Sequence, residues 1–138
     1  MSKKLIQEVE EILVPYVKAR FNIEQSPLGE IAKALASGYV KRYEEFVTWQ
    51  ARAFVRCIIS TQQELNLNDI ADVIFSEAYN MMEFTPVRNA FQNNLETLAA
   101  SKIILEAEIH NWFLYLEEKE MLLGEYNRFT GYFTPAKG

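Results

Sequence analysis

The chain has 138 residues, of which 49% are hydrophobic and 24% charged, with five glycines, four prolines, one cysteine and a net charge of −5. That composition describes one folded domain able to bury roughly two-thirds of the surface its unfolded chain exposes. It excludes a loop-rich or disordered chain, and the single cysteine, Cys57, cannot make an intramolecular disulfide. Charge is split: residues 1–60 hold nine Lys/Arg against seven acids (+2), and residues 61–138 hold five against twelve (−7). Such asymmetry bears on association rather than on fold. The start, MSKKLIQEVEE, has charges straight after its first apolar pair, unlike the apolar core of a secretory signal. No run approaches the roughly 18 apolar residues a membrane helix requires. The expected location is cytoplasmic, with no membrane partner.

The first element is a helix from Leu5, because apolar residues at 5, 6, 9, 12, 13, 16 and 17 fall on one face of a 3.6-residue period. Pro15 lies inside it, so a kink or two shorter pieces is expected. Ser26, Pro27 and Glu30 supply a cap, a first-turn proline and a first-turn acid for a short helix to about Ala36. After Ser37-Gly38, residues Tyr39, Tyr43, Phe46, Val47, Phe54, Cys57 and Ile58 keep a helical stripe that predicts a central helix.

The segment STQQELNLND is rich in turn formers, and Asn66 or Asn68 can cap a helix from about Asp69 to Met82 carrying Ile70, Val73, Ile74, Tyr79 and Met81. Phe84, Thr85 and Pro86 form another start signal. Phe91, Leu95, Leu98, Leu105, Ile109, Trp112, Phe113, Leu116 and Leu123 then run at helical spacing, as one helix or as two joined near Ala100-Ser101. Gly124 is the expected terminator. No segment alternates with period two and no Asn-Gly or Asp-Gly turn occurs, so no strands are expected. The predicted architecture is all-α: a single-domain bundle of five or six helices over residues 1–124, with an aromatic C-terminal tail, 125–138, as a docked extension.

Catalytic constellations are missing. His110 is the sole histidine, and no nucleophile elbow or phosphate-binding glycine loop accompanies it. Glu106, His110 and Glu117 project from nearly one side of a helix, since steps of four and seven return near whole turns. They are weak metal candidates, because a bundle di-metal site draws Glu-x-x-His pairs from two helices. Neither a cofactor nor an enzymatic activity is expected. Cys57, on the apolar stripe, is expected to be an inert core thiol.

Lys41, Arg52 and Arg56, bordered by Trp49, form a basic stripe that could grip phosphate and stack on a base. The segment TQQELNLNDIADVIFSEAYNMMEFTPVRNAF has the outline of a helix-turn-helix. Its second helix, however, offers only Arg88 and lies in the acidic half, where phosphate contacts would need several cations. Glu44 and Glu45 beside Lys41 and Arg42 also fit a solvated face with i,i+4 pairs.

Aromatics are the remaining lead: Phe, Tyr and Trp make 13% of the chain, and aromatic rings are enriched at protein interfaces. Trp112, Phe113 and Tyr115 point in too many directions for one apolar stripe about 100° wide. Trp112 or Tyr115 must therefore look toward another helix or a partner. The end, GEYNRFTGYFTPAKG, strings together Tyr126, Phe129, Tyr132 and Phe133. It could dock as a lid, cover a second subunit or order on a partner. The expected function is that of a non-catalytic protein-binding protein (a regulator, an inhibitor or an assembly subunit), its partner being another protein or a second copy in a homodimer. Contacts would come from Trp112, Tyr115, Tyr126, Phe129, Tyr132 and Phe133. The second reading is a nucleic-acid-binding regulator using Lys41, Trp49, Arg52 and Arg56, and the third a metal-binding or enzymatic bundle centred on His110.

Overall fold

The computed structural model describes residues 2–21, 40–81 and 95–136. Among them are four helices and a small three-stranded sheet. The predicted helix over residues 26–36, the Ser37-Gly38 break and the Thr85-Pro86 start lie outside the described residues. So does the second helix of the helix-turn-helix outline.

Helix α1 (Ser2–Phe21) is a single element that continues through Pro15. The proline sits on the exposed side, where the carbonyl it leaves without an amide partner can face water. Val9, Leu13 and Val17, four residues apart, are buried. Helix α2 (Val40–Ser60) is the central element, packed against α1 and against α3 (Leu67–Met81). Its Ala51, Ala53, Phe54, Val55 and Ile58 are all buried, because a helix flanked on two sides buries more than one stripe.

Asn66 caps α3, as its position before the apolar run predicts. Its Oδ1 accepts from the Asp69 amide at 2.7 Å, and Asp69 Oδ2 accepts from the Asn66 amide at 3.3 Å, a reciprocal capping box. Ile70, Ala71 and Ile74 face the core, whereas Val73 is exposed.

Helix α4 (Leu95–Glu118) runs unbroken across Ala100-Ser101. It stops six residues before Gly124, the expected terminator. Glu120 takes the left-handed conformation, with φ 57°. The Met121 amide donates to the Leu116 carbonyl at 2.9 Å and the Glu120 amide to Glu117 at 3.0 Å, the paired bonds of a Schellman cap. A side chain at this position carries a steric cost that glycine lacks. Relief of a left-handed strain of about 1–2 kcal/mol, less the roughly 0.5–1 kcal/mol that glycine's extra chain entropy takes back, is expected to make Glu120→Gly modestly stabilising, read as a higher urea midpoint at unchanged slope.

The strand-free expectation is overturned. The residues after α4 form an antiparallel hairpin, β2 (Gly124–Asn127) and β3 (Tyr132–Pro135), and β3 also pairs with β1 (Leu65–Asn66), giving the order β1-β3-β2. Tyr126 lies opposite Phe133, and Phe133 opposite Leu65. The fold is mostly helical with a small sheet, not an all-α bundle. Pleating directs Tyr126 and Phe133 to one face and Glu125, Asn127, Tyr132 and Thr134 to the other. Accordingly Tyr126 and Phe133 are buried and the rest exposed.

An isolated two-stranded hairpin is marginal in water. Here it gains a core: Phe113 stacks on Tyr126 (4.2 Å) and Phe133 (5.2 Å), and meets Phe54 edge-on (5.0 Å). Burying two such rings contributes roughly 1.5–3 kcal/mol each.

Candidate functional site

The hairpin turn is built from Asn127. Its Oδ1 accepts from the Phe129 amide at 2.9 Å and the Thr130 amide at 3.1 Å, and its carbonyl accepts from Gly131 at 2.8 Å. Asn favours this position because a short amide side chain can bond the backbone ahead of it. Gly131, at φ +76°, closes the loop, and a Cβ there would sit 3.2 Å from Leu67. The result is a fixed tip that holds Phe129 91% exposed, with Tyr132 on the outer face at 42%.

Beside the tip lies an open groove of about 740 Å³. Glu64, Glu117, Glu125, Arg128, Phe129 and Tyr132 contribute to its lining. Three carboxylates face one guanidinium, so the groove is acidic with aromatic margins. Glu64 is fixed against the sheet by a 2.9 Å hydrogen bond from the Thr134 hydroxyl.

Under the hairpin, Tyr126 Oη lies 2.5 Å from His110 Nδ1. Burial pushes the Tyr126 phenol up from its ordinary value, Glu117 adds to that effect, and Arg128 opposes it. This pair anchors β2 to α4. The metal candidates Glu106, His110 and Glu117 are not gathered: among the described residues no three His, Cys, Asp or Glu side chains form a metal-sized cluster. Cys57 is half-buried, and burial chiefly, with Glu77, pushes its thiol up to about 11, the character of an unreactive thiol.

The expected aromatic contact set divides. Trp112 is fully buried and meets Phe54 at 5.4 Å, so it belongs to the core. Tyr115 looks toward another helix, stacking on Tyr16 of α1 at 3.9 Å beneath Lys119. Tyr126 and Phe133 are docked, which leaves Phe129 and Tyr132 as the exposed rings of the set.

Of the basic stripe, the Lys41 side chain lies outside the described residues. Arg52 stacks over Trp49 at 5.2 Å. It also shares a groove of about 330 Å³ with Glu10 and Glu11 of α1, whose carboxylates weaken any field for phosphate. Arg56 is half-buried.

The pattern of residues gave no sign of the ion pair between Arg20 and Glu108. Arg20 Nε donates to Glu108 Oε2 at 2.9 Å and Nη2 to Oε1 at 2.7 Å, and the carboxylate is fully buried. That hydrogen bonding holds the guanidinium still further above its ordinary value, against burial. The partners lie 88 residues apart in the chain, and no local spacing encodes such a contact.

The chain matches no protein-family model, no curated protein and no solved structure.

Proposed function

We propose that this chain is a non-catalytic protein-binding protein, acting as a regulator, inhibitor or assembly subunit, and that the tip of the β2–β3 hairpin is its docking element. The observation that carries the reading is Phe129, 91% exposed on a turn that Asn127 fixes with two side-chain hydrogen bonds. A ring held in water gains nothing for the fold. The same ring entering a partner's pocket brings large, pre-ordered apolar area at little entropic cost. Tyr132 and the acidic groove extend the contact, and the partner's matching surface is apolar with a basic margin.

The test is Phe129→Ala on the full chain. Its urea midpoint should stay within about 0.5 kcal/mol of wild type, as for a surface substitution outside any fold feature. Capture of protein partners, quantified against wild-type bait, should fall by about tenfold, which corresponds to about 1.4 kcal/mol. Undiminished capture by the folded variant would remove the tip from the interface.

A second reading, nucleic-acid binding through Trp49, Arg52 and Arg56, is supported by the Arg52–Trp49 stack. It calls for a mobility shift that weakens steeply with salt and that Arg52→Glu with Arg56→Glu abolishes.

A further inference from the structure

The geometry points to the outer edge of β2 as a receptor for an extended, basic segment of a partner protein, which adds as a fourth strand and lays alternate Lys or Arg side chains into the acidic groove. This rests on the protein-binding reading and gives its partner a chemistry.

β2 has β3 on one side and, among the described residues, no strand on the other. Its free edge is therefore a row of amides and carbonyls ready to pair with another chain. Parity identifies which groups are free. Gly124 lies opposite Pro135, which has no N–H, so that position cannot be a doubly hydrogen-bonded pair. Antiparallel pairs alternate between bonded and non-bonded, which puts Tyr126 opposite Phe133 in the same class as Gly124. The backbone groups of Gly124 and Tyr126 consequently point outward, and those of Glu125 and Asn127 toward β3. Two of the devices that usually blunt such an edge, lysine and proline, do not occur within GEYN.

Charge selects the occupant. The groove beside this edge sets Glu64, Glu117 and Glu125 against Arg128, with Tyr132 and Phe129 as ring faces that attract a cation. On an incoming strand every second side chain shares the face of Glu125 and Tyr132, so Lys or Arg at alternate positions meets both carboxylate and ring. A second copy fits worse. Two β2 edges paired about a two-fold axis would bring Glu125 of each copy close to the other, and like charges across a ladder are destabilising.

The probe is a fluorescein-labelled alternating Lys–Val octapeptide, titrated into the full chain by polarisation. Its Glu–Val counterpart and two versions N-methylated on alternate residues, one for each phase, serve as comparisons. Lys–Val should bind at least about tenfold tighter than Glu–Val. N-methylation in one phase should abolish binding while the other phase is tolerated, and bound peptide should slow hydrogen exchange at the Gly124 and Tyr126 amides. Glu117→Lys with Glu125→Lys, both exposed positions, should reverse the charge preference.

Equal affinity for the acidic peptide, no measurable binding of Lys–Val, or indifference to N-methylation in both phases would overturn the assignment. Self-association that itself protects Gly124 and Tyr126 would do so as well, by making a second copy the occupant. The tip and the edge fail separately. If Phe129→Ala lowers partner capture while the peptide results are negative, the protein-binding reading stands and the strand receptor falls. If the peptides behave as expected and capture ignores Phe129, the edge stands and the tip falls.

Discussion

Arg20→Met should destabilise the protein by about 3–5 kcal/mol, the usual consequence of removing one partner from a buried ion pair. The carboxylate of Glu108 is fully buried, whereas the Arg20 side chain is one-quarter exposed, and that difference makes the two halves of the pair unequal. Without Arg20 the Glu108 charge has lost the two hydrogen bonds the guanidinium gives it and cannot reach water. Without Glu108, by contrast, the guanidinium lies over the Tyr16 ring at 5.6 Å and can turn outward. Glu108→Leu should therefore cost clearly less than Arg20→Met. The double variant should recover most of the loss, because a packed apolar pair can equal or exceed a buried ion pair in stability. Urea midpoints of the four proteins in this cycle give the coupling directly. Equal losses for the two single variants, adding in the double, would mean that the pair is not a desolvated unit.

Gly124→Ala should release the hairpin while leaving the helices folded beyond the first turn of α3. Gly124 has φ +129°, a region that side chains avoid at a strain of about 1–3 kcal/mol. Space is lacking too: a Cβ there would run into the Thr134 carbonyl oxygen and lie 2.9 Å from the Phe133 ring. Overpacking of that kind adds about 1–3 kcal/mol. Together these rival what burial of Tyr126 and Phe133 supplies, so the strands lose their register before α1–α4 lose their packing. Far-UV circular dichroism should keep its helical signal, while amides of residues 124–135 lose protection from exchange. Wild-type protection in this variant would show that Gly124 is not under the constraint described.

The helices were legible because their determinants are local. Val9, Leu13 and Val17 repeat at four residues, and Asn66 stands where a cap must stand. The end of α4 departs from the expected position because glycine is the usual left-handed residue, whereas here Glu120 takes that role and Gly124 serves a strand. The sheet lacks a clear sequence signal for a different reason. A two-residue Asn-Gly or Asp-Gly turn is a strong hairpin signal, but this hairpin turns through four residues, Arg128 to Gly131, begun by Asn127. Its alternation lasts only from Glu125 to Asn127 and from Tyr132 to Thr134, too short to rise above the helical pattern before it. NRFTG, an Asn and a Gly bracketing three residues between aromatic positions, was the available clue. Of the site, the four tail rings were visible in the chain. Which two face outward was not, because that depends on strand register, and the acidic groove assembles carboxylates from α4, β2 and the segment before β1.

Asn66 belongs to two structures at once. It pairs with Tyr132 across the sheet, and its side chain opens α3. β1 is two residues long and has β3 as its partner strand, so a departing hairpin takes away the support that holds Asn66 in place. The first turn of α3 and the hairpin are therefore expected to open as one cooperative unit, although they lie more than fifty residues apart in the chain. Occupancy at one is readable at the other. A ligand that steadies β2 and β3 should slow exchange at the Asp69 amide, which it never touches, and a fault in the α3 cap should loosen the grip on that ligand.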